Sequence, residues 1–157
     1  LNAPAVVRWN SDKSYLAELA AAGLPIVPTA WVDTVSAQTV EAACASLAAE
    51  RVVIKPIVGA CAVRQVQLRR GDPLPPPEQC PPEGALVQPF MPSIQTEGEL
   101  SFLFFGGRFS HALVKAPADA KGDLQGRCWI ILATVWDHLG WIFPKGLILM
   151  HSLCLVQ

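Results

Sequence analysis

A short apolar run that ends in a lysine is the feature that most constrains the fold. Residues 51–56 read Arg-Val-Val-Ile-Lys-Pro, which predicts a buried β-strand, and a loop that contains Gly59 follows it. Burying an ammonium group such as that of Lys55 is costly unless an anion compensates its charge. A second lysine, Lys13, opens a predicted helix upstream. The chain therefore offers two cations to one anion, and a phosphate group fits that description.

Composition excludes several classes of protein. Of the 157 residues, 52% are hydrophobic and 16% are charged, which suits one globular domain or a piece of a larger one. The net charge of −1 provides no general attraction to nucleic acid or to an anionic membrane, so neither partner is expected. Five dispersed cysteines without a Cys-x-x-Cys pair are typical of cytoplasmic thiols rather than of a disulfide framework or a zinc site. No secretory signal is predicted, and the missing initiator methionine predicts a piece of a longer protein.

Helix and strand patterns alternate in the first part of the chain. A helix is predicted over residues 12–22, capped by Asn10 or Ser11 and stopped by Gly23, and an alanine-rich helix over 36–49. The proline-rich connector that follows residue 68 is too poor in donors for a regular element. Strands are predicted over residues 24–27, 51–56, 62–68 and 85–90.

A hairpin is predicted next. Residues 99–105 and 108–115 are rich in β-forming side chains, and Gly106-Gly107 between them tolerates the positive φ of a type I′ turn. Further on, polar residues such as Asp137 and Lys145 interrupt the apolar tail, so no membrane helix is predicted. The pattern as a whole indicates an α+β protein, with a small helix-containing subdomain and an antiparallel sheet with a hairpin.

Several short stretches, taken in order, resemble the ATP-grasp superfamily, and in particular its glutathione-synthetase-like and ribosomal-protein-S6-modification-like members. The resemblance covers about residues 2–117 and implies a partial ATP-grasp domain at 1–117, with a first subdomain at about 9–84 and the start of a second at 85–117. The matching stretches are Arg-Trp-Asn-Ser-Asp-Lys (8–13), Gly-Leu-Pro-Ile-Val-Pro-Thr (23–29), Val-Val-Ile-Lys-Pro (52–56), Val-Gln-Pro-Phe (87–90), Gly-Glu-Leu-Ser (98–101) and Ser-His-Ala-Leu-Val-Lys (110–115).

The resemblance implies a reaction as well as a fold. ATP-grasp enzymes hold ATP between two subdomains and transfer its γ-phosphoryl group to a carboxylate, after which an amine or a thiol attacks the acylphosphate. The implied function is the ATP-binding part of a carbon–nitrogen or carbon–sulfur ligase, and the implied partners are ATP and a carboxylate that the sequence does not identify. A nucleotide-binding remnant or interaction module without catalysis is the alternative.

On the phosphate side of the implied site, the resemblance assigns roles to four residues. Lys13 and Lys55 would approach the phosphates from the first subdomain, the loop with Gly59 would cover them, and Lys115 would reach them from the hairpin. The alternatives are a solvent-facing helix lysine for Lys13, a solvated strand end for Lys55 and a lysine that protects an edge strand for Lys115.

On the adenosine side, the resemblance assigns a hinge and a carboxylate. Gln88, Pro89, Phe90 and Met91 would pair backbone groups with the adenine edge, with Phe90 or Met91 against the ring. Glu99 would bind the ribose hydroxyls. The alternatives are an ordinary strand residue for Gln88 and an exposed charge at a strand start for Glu99.

Magnesium is expected for this family, but its ligands are not found in the sequence. Mg²⁺ needs hard oxygen ligands, and the chain has no glutamate after Glu99 and no asparagine after Asn10. The likeness stops after Gly122-Asp123, where the composition changes abruptly. A shifted reading frame and a genuinely diverged end both account for residues 118–157, and the abrupt change favours the first. No catalytic residue or metal ligand is assigned, and the chain alone is predicted to be inactive.

Overall fold

The computed structural model describes residues 3–59, 62–105, 108–115 and 128–131. These residues belong to two compact units, which divide after Phe90. The first unit contains a four-stranded sheet and the second a three-stranded sheet. None of the helices in the described ranges is long and apolar enough to cross a membrane.

Two short helices precede the first sheet, although the sequence analysis predicts a single helix there. Helix α1 spans Pro4–Ser11 and helix α2 spans Tyr15–Ala21. Asn10 and Ser11 therefore end α1 and do not cap the helix that follows. Residues 12–14 form a turn, because the Ser14 N–H donates to Asp12 Oδ1 at 2.8 Å. The stop at Gly23 is confirmed, since this residue has a φ of +80°.

Helix α3, Ala37–Ser46, packs one side of the first sheet, where it contacts β1 (Ala30–Val32) and β4 (Ala85–Pro89). A capping box fixes its start: the Thr39 N–H donates to Ser36 Oγ at 3.1 Å, and the Ser36 N–H donates to Thr39 Oγ1 at 2.9 Å. The helix is shorter than the predicted 36–49, because Ala48 has a φ of +49°, which no helix accommodates.

The other two strands of the sheet are β2 (Arg51–Pro56) and β3 (Val66–Arg69), and a short 3-10 helix spans Pro77–Gln79. The strand order is β1-β4-β2-β3, with every pair antiparallel. The strands predicted at 51–56 and 85–90 are confirmed, whereas β3 begins later than the predicted 62–68, because Ala62 and Arg64 have positive φ. The strand predicted at 24–27 is wrong. Pro25 and Pro28 supply no N–H for a ladder there, and the first strand lies at 30–32 instead.

The two faces of this sheet differ in chemistry. The face toward α3 carries Val52, Ile54 and Val87, which belong to the main buried cluster together with Val40 and Cys44 of the helix. Side chains alternate along a strand, so the intervening residues of β2 and β4 point to the opposite face. On that face lie Val53, Lys55, Leu86 and Gln88, in which apolar and polar groups are mixed.

The second unit is built on the predicted hairpin. After the short helix α4 (Ser93–Thr96), strands β5 (Glu99–Phe105) and β6 (Arg108–Lys115) pair antiparallel, which confirms both predicted strands. The Gly106-Gly107 turn lies outside the described residues. A third strand, β7 (Cys128–Ile131), pairs with β6 and lies in the predicted divergent tail. Helices with two antiparallel sheets confirm the predicted α+β class.

Candidate functional site

Lys55 and Gln88 meet on the polar face of the first sheet. Lys55 lies opposite Leu86 in the β2–β4 register and Gln88 lies opposite Val53, so the two side chains are diagonal neighbours on one face. The Lys55 Nζ donates to Gln88 Oε1 at 3.0 Å. Only 5% of Gln88 is exposed, so its polar side chain lies in the interior of the first unit. Lys55, the last residue but one of β2, therefore donates to a neutral acceptor on the neighbouring strand β4.

A third residue, Thr29, continues this hydrogen-bond network. Gln88 Nε2 donates to Thr29 Oγ1 at 2.9 Å, and the Thr29 hydroxyl donates to the backbone oxygen of Val27 at 2.7 Å. Thr29 comes from the proline-containing segment that leads into β1. The network thus connects that segment to the end of β2 through the side chain of Gln88.

Lys13 holds the loop that follows β2. Its Nζ donates to the backbone oxygens of Gly59 at 2.8 Å, Pro56 at 3.0 Å and Ile57 at 3.4 Å. The Lys13 N–H also donates to the oxygen of Ile57 at 3.0 Å, and Asp12 forms an isolated β-bridge with Val58. The turn before α2 is therefore attached to the start of the glycine-containing loop.

Close packing makes glycine necessary in this loop. A Cβ atom added at Gly59 would lie 2.9 Å from Cγ of Pro56, which is closer than non-bonded carbon atoms approach. A larger residue would have to move the loop away from the end of β2. The carbonyl of Gly59 that accepts from Lys13 would move with it.

The two lysines act on each other electrostatically. Burial lowers the pKa of Lys13 from its ordinary value, the positive charge of Lys55 lowers that pKa further, and the Asp12 carboxylate opposes both effects. The repulsion between the two positive charges raises the free energy of the folded state. An anion bound beside them would remove that penalty, which is the electrostatic property of a phosphate site.

Phe90, at the end of the first unit, has both its backbone and its ring in contact with Arg51. The Phe90 N–H donates to the oxygen of Arg51 at 2.8 Å, and Cζ of Arg51 lies 3.7 Å from the centre of the Phe90 ring. Arg51 Nη2 also donates to Gln67 Oε1 at 3.0 Å. One face of the ring is thus covered by a guanidinium group, and the N–H of Phe90 is engaged within the sheet.

Met91 begins the second unit, which also holds Glu99 and Lys115. Met91 is 49% exposed, and its oxygen accepts from the N–H of Ile94 at 3.2 Å. Glu99 and Lys115 are directly opposite each other in the register of β5 and β6. Glu99 is the first residue of β5 and Lys115 is the last residue of β6, so the two lie at the open end of the hairpin.

Comparison with known proteins identifies the fold. No protein-family profile matches the chain. The cycloserine biosynthesis protein DcsG of Streptomyces lavendulae is 34% identical over 119 residues, which make up 70% of this chain and 40% of that protein. The crystal structure of D-cycloserine synthetase DcsG matches with a TM-score of 0.59 and 30% identity, covering 71% of this chain and 40% of the other.

A second solved structure agrees in fold. The ATP-grasp ligase PsnB, complexed with a phosphomimetic variant of its minimal precursor, Mg and ADP, matches with a TM-score of 0.57 over 86% of this chain and 40% of that one, at 19% identity. The fold of this chain is therefore that of an ATP-grasp domain. The chain carries a partial ATP-grasp domain, because it spans about 40% of the length of the relatives that it matches.

Within this ATP-grasp chain, the structure brings four of the assigned residues into one region of the first unit. Lys13 and Gly59 share a hydrogen bond, and Lys55 and Gln88 share another. Lys13 also donates to the oxygen of Pro56, which follows Lys55 in β2. Sequence reasoning did not assign a role to Thr29. The available signal was its position as the last residue of the matching stretch 23–29.

The donor set of the ATP-grasp chain suits a polyphosphate better than a metal ion. Lys13 and Lys55 supply positive charge beside a glycine-containing loop. Over the ranges that the structure describes, no group of three or more His, Cys, Asp or Glu side chains is close enough to hold a metal ion. We therefore assign no magnesium ligand within those ranges.

Proposed function

We propose that this chain is the ATP-binding part of an ATP-dependent ligase that joins a carboxylate to an amine or a thiol through an acylphosphate. The pair Lys13 and Lys55 carries the proposal. Lys13 Nζ donates to the oxygen of Pro56, the residue that follows Lys55 in β2, and both lysines lie beside a loop that needs glycine. The similarity to DcsG and to the ATP-grasp ligase PsnB supports the same conclusion.

On this proposal, the first unit binds the phosphates. Lys55 donates to phosphate oxygens, and each charge-assisted hydrogen bond of this kind contributes about 1.5–3 kcal/mol. Lys13 adds positive charge while its hydrogens hold the loop that contains Gly59. The loop then covers the phosphates. Lys115 is a further phosphate ligand in this proposal, as the family resemblance implies.

The adenosine is bound by residues 88–91 and by Glu99. Gln88, Pro89 and Met91 offer backbone groups to the adenine edge, and Phe90 or Met91 supplies apolar contact to the ring. Glu99 binds the ribose hydroxyls.

A cytoplasmic location, where ATP is available, remains our prediction for the protein.

Titration calorimetry with ATP, with and without magnesium, tests the proposal on the full chain. We expect measurable binding that Lys55→Ala weakens by at least about tenfold, because it removes one charge-assisted contact. Arg8→Ala is the matched control, since Arg8 is an exposed cation of the same unit. Equal losses in both variants would mean that only general electrostatic attraction is measured, and unchanged affinity in Lys55→Ala would remove Lys55 from the site.

A nucleotide-binding remnant without catalysis is the second candidate. Lys13, Lys55 and the loop with Gly59 would bind a nucleotide in either candidate. Release of ADP in the presence of a carboxylate and an amine would identify a ligase and exclude the remnant, whereas ATP binding without ADP release is what both candidates predict for this chain. We expect this chain by itself to bind ATP and to release no ADP.

A further inference from the structure

The hydrogen bonds around Gln88 run in one direction, from Lys55 to the backbone. An ammonium group only donates, so Gln88 Oε1 accepts from Lys55 Nζ at 3.0 Å. The amide nitrogen of Gln88 then faces Thr29 and donates to Oγ1 at 2.9 Å, and the hydroxyl proton of Thr29 goes to the oxygen of Val27 at 2.7 Å. Every donor in this series therefore meets an acceptor. The network therefore fixes which end of the amide points at the lysine.

Burial makes this arrangement hard to replace with water. Gln88 is 5% exposed and Thr29 is half-buried. Without the Thr29 hydroxyl, the buried amide nitrogen loses its acceptor. An amide that rotates to find another acceptor turns its N–H groups toward the Lys55 ammonium, so that two donors oppose each other. The direction of the Lys55 side chain therefore depends on Thr29 as well as on Gln88.

We propose that Thr29 is a positioning residue that acts through Gln88 and holds the Lys55 ammonium in the direction from which it binds the phosphates of ATP. The identity of the ligand rests on the proposed function, whereas the network does not. Gln88 is neutral, so it orients the ammonium without cancelling its charge. Because charge-assisted hydrogen bonds weaken steeply when their geometry is poor, a misdirected lysine binds phosphate less tightly.

Two variants of Thr29 separate the hydroxyl from the shape of the side chain. Thr29→Val keeps the branching and removes the hydroxyl, whereas Thr29→Ser keeps the hydroxyl. In the full chain we expect Thr29→Val to weaken ATP binding by about tenfold, Thr29→Ser to stay within about twofold, and adenosine, which has no phosphates, to bind equally to all three proteins. Equal losses for ATP and adenosine in Thr29→Val would overturn the proposal, as would wild-type affinity for ATP.

A double-variant cycle tests whether Thr29 acts through the lysine. If it does, Thr29→Val causes no further loss of ATP affinity in a Lys55→Ala background, because the group that it positions is gone. Independent, additive losses would contradict the proposal.

A measurement without nucleotide separates this proposal from the proposed function. In NMR spectra of the full chain, we expect the side-chain amide protons of Gln88 to shift and to exchange faster with solvent in Thr29→Val, and to stay in place in Thr29→Ser. If the wild-type chain binds no ATP, the proposed function fails, and the Gln88 signals still decide the network. Unchanged signals in Thr29→Val would overturn it. Thr29→Ala, which removes the hydroxyl without the bulk of valine, carries the same predictions if Thr29→Val does not fold.

Discussion

At the scale of single residues, Lys13 shows how one side chain serves the loop and the site together. Its three hydrogen-bond acceptors are the oxygens of Pro56, Ile57 and Gly59, which lie at the end of β2 and at the start of the loop. A lysine ammonium has three hydrogens, so these acceptors match its full donor capacity. The resemblance to ATP-grasp proteins selects Lys13 from the sequence. Its carbonyl partners come from a distant strand end, and no local pattern reveals them.

The pKa of Lys13 should report the charge of Lys55 directly. Removal of Lys55 takes away a like charge, so the charged form of Lys13 becomes more favourable and its pKa rises. It should remain below its ordinary value, because burial is the larger cause of the shift. NMR titration of lysine side chains with a ¹³C label at Cε measures this difference between wild type and Lys55→Ala. Lys55→Arg is the control, since it keeps the charge and should leave the pKa of Lys13 low. A lower pKa in Lys55→Ala would contradict the electrostatic coupling.

At the scale of elements, the chain follows local pattern where apolar side chains are regularly spaced. Strand β2 and the hairpin strands were predictable because their apolar and β-branched residues are consecutive or alternate. Helix α1 was missed because its eight residues are too few for a helical period to be recognised in the sequence. Strand β1 was missed because three residues are too few to form a pattern, and the proline-flanked segment before it resembles a strand more closely.

The start of α3 offers a quantitative test at this scale. Ser36→Ala removes the acceptor for the N–H of Thr39 and should lower the free energy of unfolding by about 1 kcal/mol. Ser14→Ala is the matched control, because Ser14 occupies the same position before α2 without a side-chain capping bond. Urea unfolding of both variants gives the comparison. A similar loss in both would show that the capping box does not stabilise α3.

At the scale of the whole molecule, long-range pairing decides where the first unit ends. The sequence analysis assigns residues 85–90 to the start of a second subdomain, whereas β4 lies between β1 and β2 in the sheet of the first unit. Nothing local in Ala85–Pro89 specifies these partners, since both precede it by many residues. The contacts within the candidate site are likewise not specified by local sequence. The resemblance selects Lys55 and Gln88, but the hydrogen bond of Gln88 to Thr29 exists only once β4 is in the sheet.

Two truncations should therefore behave differently. A chain that ends at Phe90 keeps all four strands and the whole main buried cluster, and we expect it to unfold cooperatively. A chain that ends at Gly84 loses β4, and with it the fully buried Leu86 and Val87 and the ladder partners of both β1 and β2. We expect this shorter chain to be unfolded, because a sheet without its central strand leaves two inner edges unpaired. Circular dichroism with thermal unfolding measures both. A folded chain that ends at Gly84 would mean that the first unit is complete without β4, and would place the boundary where the sequence analysis predicts it.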